Sequence, residues 1–370
     1  MMPDLYIGLM SGTSLDGVDG VLADFSVHTP LVVHHASAPF AASLRDELLA
    51  LNTSGPDELH RAALAGNALM RVYASVVEEL LAGSRVARDE VRAIGAHGQT
   101  VRHRPQEFDG TGYTLQLCQP ALLAELTRID VACDFRTRDV AAGGQGAPLA
   151  PFFHQQMFGR PGESVGVLNI GGISNLTLLR ADGSMTGFDC GPGNSLMDLM
   201  AGKHLGSPFD EQGRWAASGR VIPELLRAML SEPFFGKAPP KSTGRDLFNP
   251  SWLDKATGAF PGVQPVDVQA TLAELTARAC ASDVARHQPD LKRLIVCGGG
   301  ALNAHLMDRL RALLPGVGVA SSADAGLPAL QVEATAFAWL ARKTVRREKL
   351  ALESTTGARG ARVLGCIYPA

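Results

Sequence analysis

The sequence carries no surplus of positive charge: 34 lysines and arginines face 37 aspartates and glutamates, the net charge is −3, and charged residues make up only 19% of the chain. No basic footprint for nucleic acid or for an anionic membrane is therefore expected. Nor is there a cysteine framework. Cys118, Cys133, Cys190, Cys280, Cys297 and Cys366 are scattered with no C-x-x-C pair, so they read as reduced, mostly buried thiols. No apolar run approaches the ~20 residues that span a bilayer. The opening Met-Met-Pro-Asp lacks the basic flank, apolar stretch and cleavage site of a signal peptide. The expectation is a cytoplasmic protein acting on a small polar molecule. Three signatures of nucleotide binding are also missing: a G-x-x-x-x-G-K-[ST] loop, a G-x-G-x-x-G dinucleotide turn and the protein-kinase set. Any nucleotide must be held in another way.

What is present is enough apolar sequence for two cores, 46% of 370 residues, since one core stops growing below ~250–300 residues. Leu5 to Asp24 reads as apolar run, Gly/Ser/Asp cluster and second apolar run, the pattern of a glycine-rich hairpin. Helical periodicity follows at Ser43 to Leu51 and Pro56 to Leu81. Val91 to Thr100 then reads as a strand running into the polar turn His97-Gly-Gln-Thr100. Another strand and loop occupy about Ile129 to Gly146.

The order then recurs. Ser164 to Leu179 is again a hairpin around glycines, a further strand reaches Asp189, and a helix at about Asp267 to Arg286 precedes the strand ending in Gly298-Gly-Gly300. Strands alternating with helices in both halves predict an α/β protein of two similar lobes. We expect an N-terminal lobe over 1–147, joined by a C-terminal helix at about 328–343, a C-terminal lobe over 148–327, and a tail over 344–370. The Pro/Gly-rich stretch from about His204 to Trp252 reads as an insertion with short helices. Its Lys241-Ser-Thr-Gly-Arg245 suits either phosphate or a solvated loop.

Glycine turns let successive backbone N–H groups converge on phosphate oxygens. Gly8 to Gly17, Gly171-Gly172 and Gly298 to Gly300 are three such places, although any one of them alone reads more readily as a structural turn. Two glycine hairpins at equivalent points of two lobes suit a nucleotide held in an interlobe cleft. Asp16 and Asp19 in the first hairpin and Asp189 at a strand end are the carboxylates that phosphoryl transfer would use for Mg²⁺ and for proton acceptance. Turn capping by Asp16 and Asp19 is the plain alternative. Arg136, between Asp134 and Asp139, offers a planar fork for a carboxylated ligand or else a structural salt bridge. His97 and His103 lack a metal-ligand spacing and read as hydrogen-bonding groups.

In order along the chain, Gly8-Leu-Met-Ser-Gly-Thr-Ser-Leu-Asp-Gly-Val-Asp19, His97-Gly-Gln-Thr-Val-Arg-His103, Asp134-Phe-Arg136, Ala142-Gly-Gly-Gln-Gly-Ala-Pro-Leu149, Asn169-Ile-Gly-Gly-Ile-Ser-Asn175, Gly187-Phe-Asp-Cys-Gly-Pro-Gly-Asn194 and Cys297-Gly-Gly-Gly-Ala-Leu-Asn303 resemble the motifs of the anhydro-N-acetylmuramic acid kinases. That family lies in the sugar kinase, Hsp70 and actin superfamily. The resemblance implies an actin-like ATPase fold, a duplicated ribonuclease H-like α/β architecture with an interlobe cleft. The implied activity uses ATP and Mg²⁺ to open the 1,6-anhydro ring of the sugar with water while phosphorylating O6.

By position, Asp189 matches the general base. Gly12, Thr13, Ser14, Leu15, Asp16, Gly17, Val18 and Asp19 match the first phosphate loop, Gly171, Gly172 and Asn194 the second, and Gly298, Gly299 and Gly300 the adenosine-side turn. Thr100, Arg136, Asp139 and Glu333 match sugar contacts, and Asp16 is the candidate Mg²⁺ carboxylate, acting through water. A homodimer with no nucleic-acid or membrane partner is implied. The alternatives are an ordinary sugar kinase acting on a free hydroxyl and a nucleotide-switched scaffold of the actin or Hsp70 kind.

Overall fold

The computed structural model describes residues 3–12, 14–27, 29–244 and 246–370. The chain divides into two compact units, Met1–Phe153 together with Gln331–Ala370, and His154–Leu330.

In the first unit, β1 (Leu5–Met10), β2 (Gly17–Asp24) and β3 (Leu31–Pro39) form an antiparallel meander. β4 (Val91–Ala96) lies parallel to β1 on its other side, β5 (Gln99–Pro105) and β6 (Gly112–Leu117) make a separate hairpin, and β7 (Val131–Cys133) runs parallel to β4. The sheet order is β3-β2-β1-β4-β7, and the C-terminal strand Cys366–Tyr368 adds antiparallel outside β7.

The two faces of β1 are covered differently because its side chains alternate. Leu5, Ile7 and Leu9 share a core with Leu69, Met70, Tyr73, Val76, Val77 and Leu80, the buried stripe of helix Glu58–Ser84, whose spacing follows the helical period. Gly8 faces the opposite way and is paired with Gly95 of β4. A Cβ on Gly8 would sit 1.9 Å from the carbonyl oxygen of Ala334, and one on Gly95 2.1 Å from that of Phe337. The two glycines thus let the backbone of helix Val332–Val345 press onto the sheet. The stretch beyond 344 belongs to this same unit, through the edge strand and through the Arg359 N–H, which donates to the Ala142 carbonyl at 2.9 Å.

In the second unit, β8 (Val165–Ile170), β9 (Ile173–Leu179) and β10 (Met185–Pro192) form another antiparallel meander. β11 (Arg293–Cys297) and β12 (Gly318–Ser321) extend it in parallel, giving the order β10-β9-β8-β11-β12. Counting only the strands of each main sheet in chain order, and leaving aside the C-terminal edge strand Cys366–Tyr368, both sheets read 3-2-1-4-5. Helix Pro265–His287, buried along most of its length, supplies Leu272, Leu275 and Val284 to a core with Leu168, Phe188 and Val296. The described residues between 204 and 252 include helices Arg214–Ser218 and Pro223–Leu230, short 3-10 turns at Glu211–Gly213 and Pro233–Gly236 and the start of helix Pro250–Gly258, and Phe234 and Phe248 join the same core.

Candidate active site

In the first unit the connection from β1 to β2 is held by the loop after β4. The polar turn expected over residues 97–100 is shorter than the sequence suggests. Gly98, at φ 73°, breaks the chain, and Gln99 and Thr100 already belong to β5, which brings their side chains under strand rather than turn geometry. His97 Nδ1 lies 3.1 Å from the Ser11 carbonyl and its Nε2 lies 3.1 Å from Arg136 Nη2. A carbonyl only accepts, so Nδ1 carries the proton and Nε2 accepts from the guanidinium. Burial, and then the charge of Arg136, push His97 down to about 3, so the ring is neutral. Ser11 Oγ donates to the Gly98 carbonyl at 3.0 Å and stands 2.9 Å from the Tyr73 hydroxyl. Gln99 Nε2 donates to the Gly12 carbonyl at 3.1 Å.

Within the turn itself the predicted phosphate-loop residues separate into two kinds. Gly12 is crowded by nothing closer than Ser14 Oγ at 3.5 Å from an added Cβ, whereas a Cβ on Gly17 would lie 2.3 Å from the Ala38 carbonyl. Gly17 is glycine for packing against β3. Val18 and Leu15 are core residues at 1% and 4% exposure, so only their backbones are available to a ligand. Ser14 Oγ donates to Asp16 Oδ1 at 2.6 Å, Asp16 and Asp19 are exposed, and His35 Nε2 is 3.6 Å from Asp19. Thr13 lies outside the described residues.

Arg136 follows β7. Its Nη1 donates to the Gly146 carbonyl at 2.9 Å, while its buried Nε has no hydrogen-bond partner among the described residues, and neither has Gln99 Oε1. Buried polar atoms left open in this way mark where a ligand or water completes the set. Burial lowers Arg136 to about 10 against the opposing pull of Glu333 and Asp139, so it stays cationic at neutral pH. Glu333, in the first turn of helix Val332–Val345, keeps exposed surface. Crowding of its carboxyl by protein nevertheless raises it, with repulsion from Asp19 and Asp16 adding and Arg136 opposing.

The expected sugar contact Asp139 is instead wholly enclosed, at 0% exposure. Its Oδ2 accepts from the Gly146 N–H at 2.6 Å and its Oδ1 from Thr356 Oγ1 at 2.5 Å, so it fastens the 143–146 loop and presents no open oxygen. Thr100 Oγ1 accepts from Gln116 Nε2 at 3.2 Å.

In the second unit the turn from β8 to β9 is overlaid by the chain leaving β10. The N–H groups of Gly193 and Asn194 donate to the carbonyls of Gly172 and Gly171 at 2.9 and 2.8 Å, and Asn194 Nδ2 donates to the Ile170 carbonyl at 3.1 Å. An added Cβ on Gly171 or Gly172 would meet nothing nearer than 3.7 Å, so the surrounding protein does not demand glycine at either. By contrast Gly298, at φ 76°, and Gly300, whose Cβ would lie 2.4 Å from that of Ile170, are fixed by the fold; at Gly299 the nearest atom is Asn194 Nδ2 at 3.2 Å. Helix Ser195–Leu205 starts at Asn194 with no side-chain cap, and Ser195 Oγ is buried without a partner among the described residues.

Asp189 sits on β10 where the register with β9 slips between Asp189 and Gly191. A bulge of this kind re-aims a side chain. The Thr243 N–H donates to Asp189 Oδ2 at 2.9 Å, and the Asp189 N–H donates to the Lys241 carbonyl at 3.1 Å. Burial raises the carboxyl to about 6, against the pull of the Thr243 N–H and the Lys241 charge. A carboxyl in that range takes and releases a proton near neutral pH, which is what a general base requires.

Sequence reasoning found Asp189 but not its support. In sequence Lys241 and Thr243 suit a phosphate or solvated loop, and Asp283, which pairs with Lys241, is not among the candidates. The available signal was a charged residue on the buried stripe of helix Pro265–His287, beside Cys280 and Val284. Among the described residues no cluster of three or more His, Cys, Asp or Glu side chains is placed to hold a metal directly, and no helix is long and apolar enough to cross a membrane.

The sequence profile described as anhydro-N-acetylmuramic acid kinase matches residues 4–370. The chain belongs to this family. An anhydro-N-acetylmuramic acid kinase of Variovorax paradoxus is 64% identical over the full length of both chains. Another, of Albidiferax ferrireducens, is 60% identical, again over all of each. Among solved structures, a reductive activator for a corrinoid, iron-sulfur protein aligns with a TM-score of 0.50 at 13% identity, covering 96% of this chain and 63% of that one, a likeness of fold alone. The fold is that of the sugar kinase, actin and Hsp70 group, two units of sheet flanked by helices.

Proposed function

We propose that this enzyme consumes ATP to open the 1,6-anhydro ring of 1,6-anhydro-N-acetylmuramic acid and phosphorylates O6, giving N-acetylmuramic acid 6-phosphate and ADP in peptidoglycan recycling. Family membership supports the substrate, and the half-buried, raised carboxyl of Asp189 carries the chemistry. In this reading Asp189 takes a proton from water as the water oxygen bonds to C1. The C1–O6 bond breaks, its electron pair stays on O6, and O6 accepts the γ-phosphoryl group in place of a proton.

The backbones of the described residues from Gly12 to Asp19 and of Gly171 and Gly172 take the phosphates, with Asn194 holding the second turn, and Gly298 to Gly300 form the adenosine-side turn. The room at Gly12, Gly171 and Gly172 supports close approach of phosphate to backbone. Arg136, with its Nε still open among the described residues, suits the lactyl carboxylate, and Thr100 and Glu333 suit sugar hydroxyls. Asp139 acts one step back, by holding the loop that receives Arg136. A hydrated Mg²⁺ met by Asp16 through water fits the mutually repelling Asp16, Asp19 and Glu333, and would neutralise charge on the phosphates. We further infer that the shared 3-2-1-4-5 strand order reflects duplication of a ribonuclease H-like unit, and that the enzyme works as a homodimer.

The test is product analysis in heavy-oxygen water. The expected product is the 6-phosphate carrying one solvent oxygen at C1, with one ADP per sugar. An unlabelled product, phosphorylation of a free hydroxyl with the ring intact, or ATP consumption independent of sugar would overturn the reading.

A further inference from the structure

Lys241 has the composition of a phosphate ligand but points into the core. Its side chain is 1% exposed, and its ammonium lies 2.9 and 3.1 Å from the carboxylate oxygens of Asp283, itself 3% exposed. The ammonium also stands 5.0 Å from the ring centre of Phe234 and 5.8 Å from that of Phe188, the neighbour of Asp189. A buried ion pair is poor value for stability alone, because well-packed apolar residues of similar volume usually serve as well or better.

What distinguishes this pair is its connection to Asp189. The backbone of Lys241 receives the Asp189 N–H, and two residues on, the Thr243 N–H aims at Asp189 Oδ2. Lys241 and Thr243 therefore grip both the main chain and the carboxylate of the acid, and the Lys241 side chain tethers that grip to helix Pro265–His287.

We propose that the Lys241–Asp283 ion pair is a positioning device for Asp189, holding the 241–243 segment that orients the carboxylate and setting a fixed positive charge beside it. The proposal rests on the reading of Asp189 as the base. Among the described residues, the ionisable groups packed around this point are Lys241 from the loop, Asp283, His287 and Cys280 from the helix, and Cys190 from Asp189's own strand, with Arg180 and Arg286 acting on His287. Burial keeps His287 below its ordinary value and the Cys190 thiol well above its own, so neither adds charge at neutral pH. Lys241 is the one that favours the ionised form of Asp189.

The deciding variant is Lys241→Met combined with Asp283→Asn, which removes both charges and leaves neither stranded in the core. Turnover and thermal unfolding are measured from pH 5 to 9. The expected result is a folded enzyme whose turnover at pH 7 falls about tenfold. Its acid limb should move up by about one pH unit, while KM for ATP changes by less than about twofold.

A lowered melting temperature with the parent's acid limb would make the pair merely structural and overturn the proposal. Asp283→Glu, which keeps both charges but alters the tether, must also slow turnover at pH 8 with KM for ATP unchanged, and parental turnover there would overturn it too. Asp189→Asn separates the two readings. If that variant keeps its turnover, the base assignment fails. If it abolishes turnover while the double variant keeps the parent's limb, the base stands and the positioning role falls.

Discussion

Replacing Asp189 with asparagine should make the protein more stable and less active, with the stability gain depending on pH. Burial raises the carboxyl from its ordinary 3.8 to about 6 in the folded chain. The folded state therefore binds the proton more tightly than the unfolded one. The group's contribution is fully present below 3.8 and is lost as pH rises through about 6. Over the whole interval the loss approaches ~3 kcal/mol, at 1.36 kcal/mol per pH unit.

Asparagine has the shape of the protonated acid, can accept from the Thr243 N–H through its amide oxygen, and does not titrate. The variant's advantage over the parent should thus grow from ~1 kcal/mol at pH 4.5 to ~3 kcal/mol at pH 8. Urea unfolding at the two pH values, followed by tryptophan fluorescence, measures it. Trp215 and Trp252 lie in the same unit as Asp189. A difference that does not change with pH, or a variant less stable than the parent at pH 8, would refute the burial argument. Loss of turnover alongside gained stability is the pattern expected where an active site holds a group in an environment that suits its chemistry rather than its solvation.

The same carboxyl should give the parent enzyme an acid limb near pH 6, with turnover falling about tenfold between pH 7 and pH 5; a limb near pH 4 would remove Asp189 from the base role. Gly171→Ala, which meets no protein atom within 3.6 Å, should leave the unfolding midpoint unchanged and raise KM for ATP about tenfold or more. Gly300→Ala, which drives a methyl to 2.4 Å from Ile170, should instead cost ~2 kcal/mol in urea unfolding; equal stability of the two variants would contradict the distinction. Arg136→Lys keeps the charge but loses the planar fork that serves both His97 and the Gly146 carbonyl. KM for the sugar should rise at least about tenfold with KM for ATP little changed, and steady-state kinetics with each substrate varied in turn will show whether it does.

Much of the fold was legible because its signals are local. The hairpins around Gly12 and Gly171, and the long helices at 58–84 and 265–287, follow from period and punctuation. Asp189 could be singled out because small or rigid neighbours follow it and suggest a strand end there, although the strand itself runs on to Pro192. Its partners could not. Lys241 and Asp283 are 42 residues apart in sequence, and nothing local separates a buried lysine from a solvated one. Asp139 was assigned a ligand's role because its neighbours look like a ligand site. Only the approach of Thr356, 217 residues further along, shows that its oxygens are already engaged. The boundary at 97–100 was drawn late because polar residues resemble a turn, while Gly98 alone makes the break and β5 continues beyond it.

The glycine pair Gly8 and Gly95 also sets an order on biosynthesis. The helix that their missing side chains admit is encoded more than 230 residues after β4, beyond the whole of the contiguous unit His154–Leu330. On the ribosome the inserted unit has all its strands before that helix emerges. β1 and β4 wait with one face bare until that helix follows. A chain cut just before Val332 would carry the unit His154–Leu330 complete and the first sheet exposed on its Gly8 side, a natural target for chaperones and proteases.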